Sequence, residues 1–137
     1  MLEDKVDVLG AAERLRQASR NGTLDRICDR LGVRLLGIFG SAARGDTSPD
    51  SDLDVCVSFS EKPDELGLID ELTKLTEFDQ IDLAVIDNAP PLLRAKALVG
   101  IPLYEDEPGR YATTQMAALG EERDTRWMRQ LELEMLE

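Results

Sequence analysis

Two aspartates separated by one residue, Asp52 and Asp54, have the type and spacing to do chemistry. They open an alternating run, residues 52–58 (DLDVCVS), whose pattern predicts a strand. Strand residues two apart project from one face, roughly 6.5–7 Å from each other. The two carboxylates therefore stand side by side, while Leu53, Val55 and Val57 point into a core. Such a pair repels itself unless a proton or a cation intervenes. With hard oxygen donors and no histidine or cysteine ligand beside them, the matching cation is Mg²⁺ or Mn²⁺. An aspartate pair of this kind can bridge two metal ions roughly 3.5–4 Å apart, the spacing used for in-line phosphoryl displacement.

A third carboxylate, Asp82, sits near the start of residues 80–86 (QIDLAVI), which read as another strand. If that strand neighbours the first, Asp82 joins the pair and either accepts a proton from an attacking hydroxyl or holds a metal. Upstream, Gly40 and Ser41 follow the apolar run VRLLGIFG. Glycine lets a backbone approach a ligand closely, and free N–H groups with the Ser41 hydroxyl can cradle phosphate oxygens. Arg44, on the same turn, can neutralise further phosphate charge. A phosphate grip, metal-binding carboxylates and a candidate base together describe nucleotidyl transfer from a nucleoside triphosphate.

The elements that must position these groups follow from hydrophobic period and from the residues that punctuate it. Val6, Leu9, Ala12 and Leu15 predict a helix over 3–18, ended near Asn21-Gly22. Thr23 is placed to cap a second helix with Leu24, Ile27, Cys28 and Leu31 inward and Gly32 just past its end. Residues 33–39 read as a buried strand and 40–51 as turn. A helix at 63–77 turns Leu66, Ile69, Leu72 and Leu75 inward. Asn88 is placed to cap a helix that opens with Pro90 and Pro91 and closes before Gly100. Residues 101–104 (IPLY) suit an edge strand, where Pro102 is tolerated, and the remainder is helical, in two pieces broken at Gly120. Strands alternating with helices predict an α/β (α+β) domain on a small mixed sheet flanked by helices.

Composition narrows the chemistry. The 137 residues make one domain's worth of chain, and 16 Lys plus Arg against 28 Asp plus Glu give a net charge of −12. That balance disfavours non-specific binding to nucleic acid. With no histidine in the chain, Ser–His–Asp and Cys–His catalysis and histidine phosphotransfer are excluded. Cys28 and Cys56 read as buried apolar groups that suit a reduced cytosol. No apolar run has the length of a membrane span and the N-terminus carries acids, so the expectation is a soluble, cytoplasmic protein.

The run GIFGSAARGDTSPDSDLDVCV resembles the signature of the minimal nucleotidyltransferases, the smallest members of the DNA polymerase β-like superfamily. Gly40, Ser41, Asp52 and Asp54 match that pattern, and Asp82 matches its later hydrophobic–Asp–hydrophobic strand. From APPLLRAKALVGIPLYEDEPGRY onward the chain also looks like the MntA-type antitoxins of this family. The resemblance implies a nucleotidyltransferase domain over 1–105 and a C-terminal helical extension, 106–137, for partner docking. It further implies a Mg²⁺-dependent protein adenylyltransferase, with two ions, that moves AMP from ATP to a tyrosine of a cognate HEPN-domain RNase toxin. Asp52, Asp54 and Asp82 would ligate metal and carry catalysis, and Gly40, Ser41 and Arg44 would bind the nucleotide. A hetero-oligomer with the toxin follows.

Family members often carry Arg directly after Gly-Ser, where this chain has Ala42, which implies a weaker hold on triphosphate. Two alternatives stand beside this reading. One is an antitoxin that acts by stoichiometric binding alone; the other is nucleotidyl transfer to a small-molecule hydroxyl. Trp127, Leu131 and Met135 recur every four residues with Met128 adjacent. That stripe either covers the domain's own sheet or docks on a partner.

Overall fold

A computed structural model describes residues 6–135, and its order of elements is that of the sequence pattern. Two short helices, α1 (Val8–Asn21) and α2 (Thr23–Leu31), precede the strand β1 (Val33–Phe39). A single-turn helix α3 (Gly40–Arg44) leads to β2 (Leu53–Phe59), α4 (Glu65–Thr76) and β3 (Ile81–Val85). A 3₁₀ turn at Ile86–Asn88 then gives way to α5 (Pro91–Leu98), β4 (Ile101–Glu105) and the long α6 (Arg110–Met135). The strands form a mixed sheet in the order β3-β2-β1-β4, with β1 antiparallel to both of its neighbours and β2 parallel to β3.

The two central strands are buried along most of their length because both faces of the sheet are covered. Leu36, Ile38, Leu53, Val55 and Val57 join Leu15, Leu24, Leu68 and Leu72 in a core under α1, α2 and α4. Leu35 and Cys56 point the other way, into a smaller cluster with Ala97 and Leu98 of α5 and Tyr111 and Ala118 of α6. There Tyr111 lies against the sheet over Gly37, where a Cβ would stand 2.2 Å from the phenol oxygen. The same oxygen contacts the Cys56 sulfur at 3.5 Å. Both cysteines are buried and free, as their surroundings predicted.

Several local expectations are corrected. The first helix begins at Val8 rather than residue 3, because Asp7 accepts a hydrogen bond from Gly10 N at 2.7 Å and caps it there. Residues 3–5 of that expected helix lie outside the described residues, and Leu9 is partly exposed. Thr23 starts α2 but does not cap it; Gly22, at φ 86°, is the junction. Asp64 caps α4 through Gly67 N at 3.0 Å, which leaves Leu66 in the first turn facing solvent and puts Leu68 inward instead. Asn88 belongs to the 3₁₀ turn, and α5 starts after Pro90. Gly120 does not break the last helix, since α6 runs unbroken for 26 residues.

Glu105, at the end of β4, accepts from Gly109 N and Tyr111 N and so fixes where α6 begins. On α6, Tyr111, Ala118 and Glu122 are buried. Met116, Gly120, Trp127, Leu131 and Met135 fall on the opposite side of the helical wheel. Trp127 is 63% exposed and Met135 85%, so the apolar stripe does not cover the domain's own sheet.

Candidate active site

Strand direction gathers the candidate residues. Because β1 and β2 are antiparallel, the last residue of β1, Phe39, stands opposite Asp54 near the start of β2. Because β2 and β3 are parallel, Asp54 is in register with Asp82 near the start of β3. Registered neighbours in a sheet point to the same face, so Asp54 and Asp82 share a face at one end of the sheet. Asp52 lies one residue before β2 rather than inside it, and it is exposed. It is still near enough to act on Asp54 through its charge.

Gly40 closes this end. Its φ of +69° is a left-handed conformation that disfavours a side chain, and a Cβ there would lie 2.3 Å from Asp54 Oδ2. The turn from β1 into α3 therefore runs directly against the Asp54 carboxylate. Ser41 is the second residue of the single turn α3, and Gly45 ends that turn by donating its N–H to the Ser41 carbonyl at 2.8 Å. Arg44 bonds Asp46 at 3.2 Å on the exposed side and lowers the proton affinity of Asp54 from a distance. The connection to β2 is held by Ser48 and Ser51, which exchange backbone and side-chain hydrogen bonds. Ala42 is buried in the main core, so position 42 faces inward in this chain and carries no cation.

The Asp54 carboxyl is held above the usual carboxylate range by burial first, then by the charges of Asp82 and Asp52, with Arg44 opposing. The part contributed by Asp82 and Asp52 is the mutual repulsion expected of clustered carboxylates. Among the described residues, no group of three acidic or sulfur side chains is closed tightly enough to hold a metal ion alone. Mg²⁺ rarely needs such a cage. It keeps several waters and binds through one or two carboxylates plus substrate phosphates. The carboxylates at this end of the sheet have the chemistry to hold such an ion in that mode.

A cavity of about 230 Å³ opens beside the Gly40 turn, lined by Arg44 and Lys96 together with Phe39, Ala43 and Val99, and by none of the three aspartates. Lys96 is absent from the sequence-based site, because nothing in local spacing ties α5 to Gly40. The contact is tertiary: Gly100 presses onto β1 so closely that a Cβ there would meet the Ile38 carbonyl oxygen at 1.8 Å. A larger cavity of about 520 Å³ runs between β4 and α6 past Tyr104 and Tyr111, away from the three aspartates.

A mixed sheet covered on both faces, with a Gly-Ser turn abutting paired aspartates, defines the class: a minimal nucleotide-transfer domain. The family model described as "Polymerase beta, Nucleotidyltransferase" matches residues 23–108, and the chain belongs to that family. A stretch of 42 residues is 48% identical to the protein adenylyltransferase MntA of Thermococcus cleftensis. That match takes in 31% of this chain and only 42% of the curated relative's length.

Among solved structures, a minimal nucleotidyltransferase is 30% identical with a TM-score of 0.55, covering 72% of this chain and 97% of that one. A toxin–antitoxin crystal structure with AMP-PNP is similar at a TM-score of 0.66 and 16% identity, over 84% of this chain and 96% of that one. A Shewanella oneidensis complex of tri-AMPylated HEPN toxin with MNT antitoxin is similar at 0.62 and 17%, over 88% and 98%. At those two identities the likeness is one of fold. No helix of the described residues is long and apolar enough to cross a membrane.

Proposed function

We propose that this chain is a Mg²⁺-dependent adenylyltransferase that transfers AMP from ATP to a tyrosine of a cognate HEPN-domain toxin, acting as its antitoxin in the cytoplasm. The observation that carries the reading is the register of Asp54 with Asp82 at the sheet end that Gly40 closes. The relatives whose names record AMP transfer and HEPN toxins support the choice of donor and acceptor.

In the proposed reaction the tyrosine oxygen attacks the α-phosphorus of ATP. The new P–O bond replaces the bond to the bridging oxygen, and pyrophosphate leaves. Asp52, Asp54 and Asp82 would hold the divalent ions, which would supply charge neutralisation along the triphosphate. The Ser41 hydroxyl, the backbone at Gly40 and the Arg44 guanidinium hold phosphate oxygens. Asp82, exposed near the start of β3, takes the phenol proton or serves as a further metal ligand. A phenol, with a pKa near 10, yields its proton to such a carboxylate more readily than a sugar hydroxyl does.

Residues 1–105 form the catalytic domain in this proposal, and the outer half of α6 docks the toxin. The stripe from Met116 to Met135, turned away from the helix's buried face, supports that division. The same stripe favours a second reading, neutralisation by binding alone.

One experiment separates the two. The purified chain, labelled ATP, Mg²⁺ and the protein encoded beside it are incubated together, with the wild type and an Asp52→Ala/Asp54→Ala variant in parallel. Transfer of label by the wild type alone supports the catalytic reading. Label transfer that survives the double substitution contradicts the site. A double variant that transfers no label yet still neutralises the toxin points to binding as sufficient.

A further inference from the structure

We infer that Lys96 is a second phosphate-positioning cation of the nucleotide site, sharing with Arg44 the lining of the cavity beside Gly40; this deepens the proposed adenylyl transfer and rests on it. The case begins with charge. ATP brings about four negative charges to a sheet end that already carries Asp52, Asp54 and Asp82, in a chain of net charge −12. Divalent ions offset part of that load. Protein cations must steady the rest of the triphosphate, and the Gly-Ser turn itself supplies only Arg44.

Arg44 is not wholly free for the task. Its Nε bonds Asp46 at 3.2 Å, so part of its charge is answered before a nucleotide arrives. Position 42 offers nothing, since Ala42 is packed in the core. Lys96 is the other cation lining this cavity. It is exposed and forms no ion pair with any described residue. Other cations of the chain are also unpaired, but Lys96 shares a cavity with the Gly40 turn, where an ammonium can meet phosphate oxygens.

Its placement is built rather than incidental. Lys96 sits in the last turn of α5, four residues before Gly100. Gly100 lies against β1, with a Cβ position 1.8 Å from the Ile38 carbonyl oxygen and 2.9 Å from Phe39 Cα, an approach open only to glycine. The end of α5 is thereby pinned beside the junction of β1 and α3, where Gly40 turns. The cavity's lining joins two cations, Arg44 and Lys96, with the apolar Phe39, Ala43 and Val99, a mixture suited to a ligand with phosphate and nucleoside parts. Because Lys96 contacts the substrate away from the bond being made, it acts as a positioning residue. Its loss should weaken binding without removing the chemistry.

The test compares wild type, Lys96→Ala and Lys96→Arg, with Asp54→Ala as the control for the site. Binding of ATP and of adenosine is measured by calorimetry in the presence of Mg²⁺, and KM and kcat for labelling of the toxin are determined separately. The expected result is a roughly tenfold rise in Kd and KM for ATP in Lys96→Ala. Adenosine affinity stays unchanged, kcat stays within about twofold, and Lys96→Arg recovers most of the loss. Wild-type affinity for ATP in Lys96→Ala overturns this inference, and if Asp54→Ala still abolishes labelling the adenylyltransferase reading stands. An equal loss of adenosine and ATP affinity also overturns it, because that pattern reports damage to the pocket wall. A wild-type chain that binds no ATP overturns both.

Discussion

At the scale of single residues, Gly40 carries the sharpest consequence. Its positive φ and the 2.3 Å gap from its Cβ position to Asp54 Oδ2 impose two separate penalties on any side chain. Left-handed backbone in a non-glycine residue costs about 1–2 kcal/mol. The steric conflict falls on the carboxylate at the centre of the proposed site, which must swing away. Gly40→Ala should therefore lower stability only modestly, while transfer falls roughly a hundredfold, the cost of a misplacement near 1 Å. Urea midpoints and label-transfer rates on the same preparation check this. Full activity in a folded Gly40→Ala variant contradicts the placement of Asp54.

Cys28 makes a different residue-level prediction. Burial, with the Asp25 charge added, pushes its thiol from an ordinary 9.0 up to about 12. Above pH 9 the unfolded chain sheds this proton and the native chain keeps it, so the unfolded state is favoured as pH rises. Stability is then intact below about pH 9 and falls toward pH 12, at up to about 1.4 kcal/mol per pH unit from this one group. Burial raises Cys56 and Tyr111 in the same direction, which steepens the trend. Urea midpoints measured from pH 8 to 10.5 should decline, and Cys28→Ala should flatten the decline. An equally steep slope in that variant would exclude Cys28 as a source.

At the scale of elements, the packing of α6 on the sheet turns on Gly37. A methyl group there meets the Tyr111 oxygen at 2.2 Å and the Ile101 carbonyl oxygen at 3.1 Å. Gly37→Ala should destabilise the fold by about 1–3 kcal/mol through overpacking. Removing the phenol oxygen with Tyr111→Phe should return part of that loss, and a double-mutant cycle measures the coupling. Strict additivity of the two substitutions would show that Tyr111 does not rest on Gly37.

Elements of this kind divide what the sequence discloses from what it withholds. The limits of β1 were legible, and the starts of β2 and β3 to within one residue, because alternation and apolar runs are local signals; that one residue leaves Asp52 outside β2, and Gly32 marks the end of α2 chemically. The carboxylate pairing was legible once the strands were assumed adjacent. Leu66 was misread because a cap at Asp64, rather than the apolar count, sets the phase of α4. Gly120 was misread because a lone glycine costs a helix only about 1 kcal/mol, too little to break one with a buried face. Lys96, Gly37 and Tyr111 owe their neighbours to packing between elements distant in sequence. No local pattern encodes that.

At the scale of the whole molecule, the two ends of the proposed function sit on different parts of the chain. The sheet end with Asp54 and Asp82 is where the proposal puts the nucleotide, and the outer half of α6 projects an apolar stripe away from the buried face of that helix. A protein of net charge −12 that exposes such a stripe is suited to an oppositely charged partner, attracted at long range by charge and held at short range by apolar contact. Trp127, the one tryptophan in the chain and 63% exposed, lies in the middle of the stripe and reports on it directly. In the free protein its fluorescence should be that of a solvated indole, and addition of the toxin should shift the emission to the blue. Replacing Trp127 and Leu131 together by Ala removes an anchor of the type that typically contributes at least 2 kcal/mol, so toxin affinity should fall roughly thirtyfold or more. Affinity for ATP should not change, because the stripe faces away from the sheet. Toxin binding that is unaffected by the double substitution, with no movement of the Trp127 emission in the wild-type complex, would place the toxin's docking surface elsewhere on the molecule.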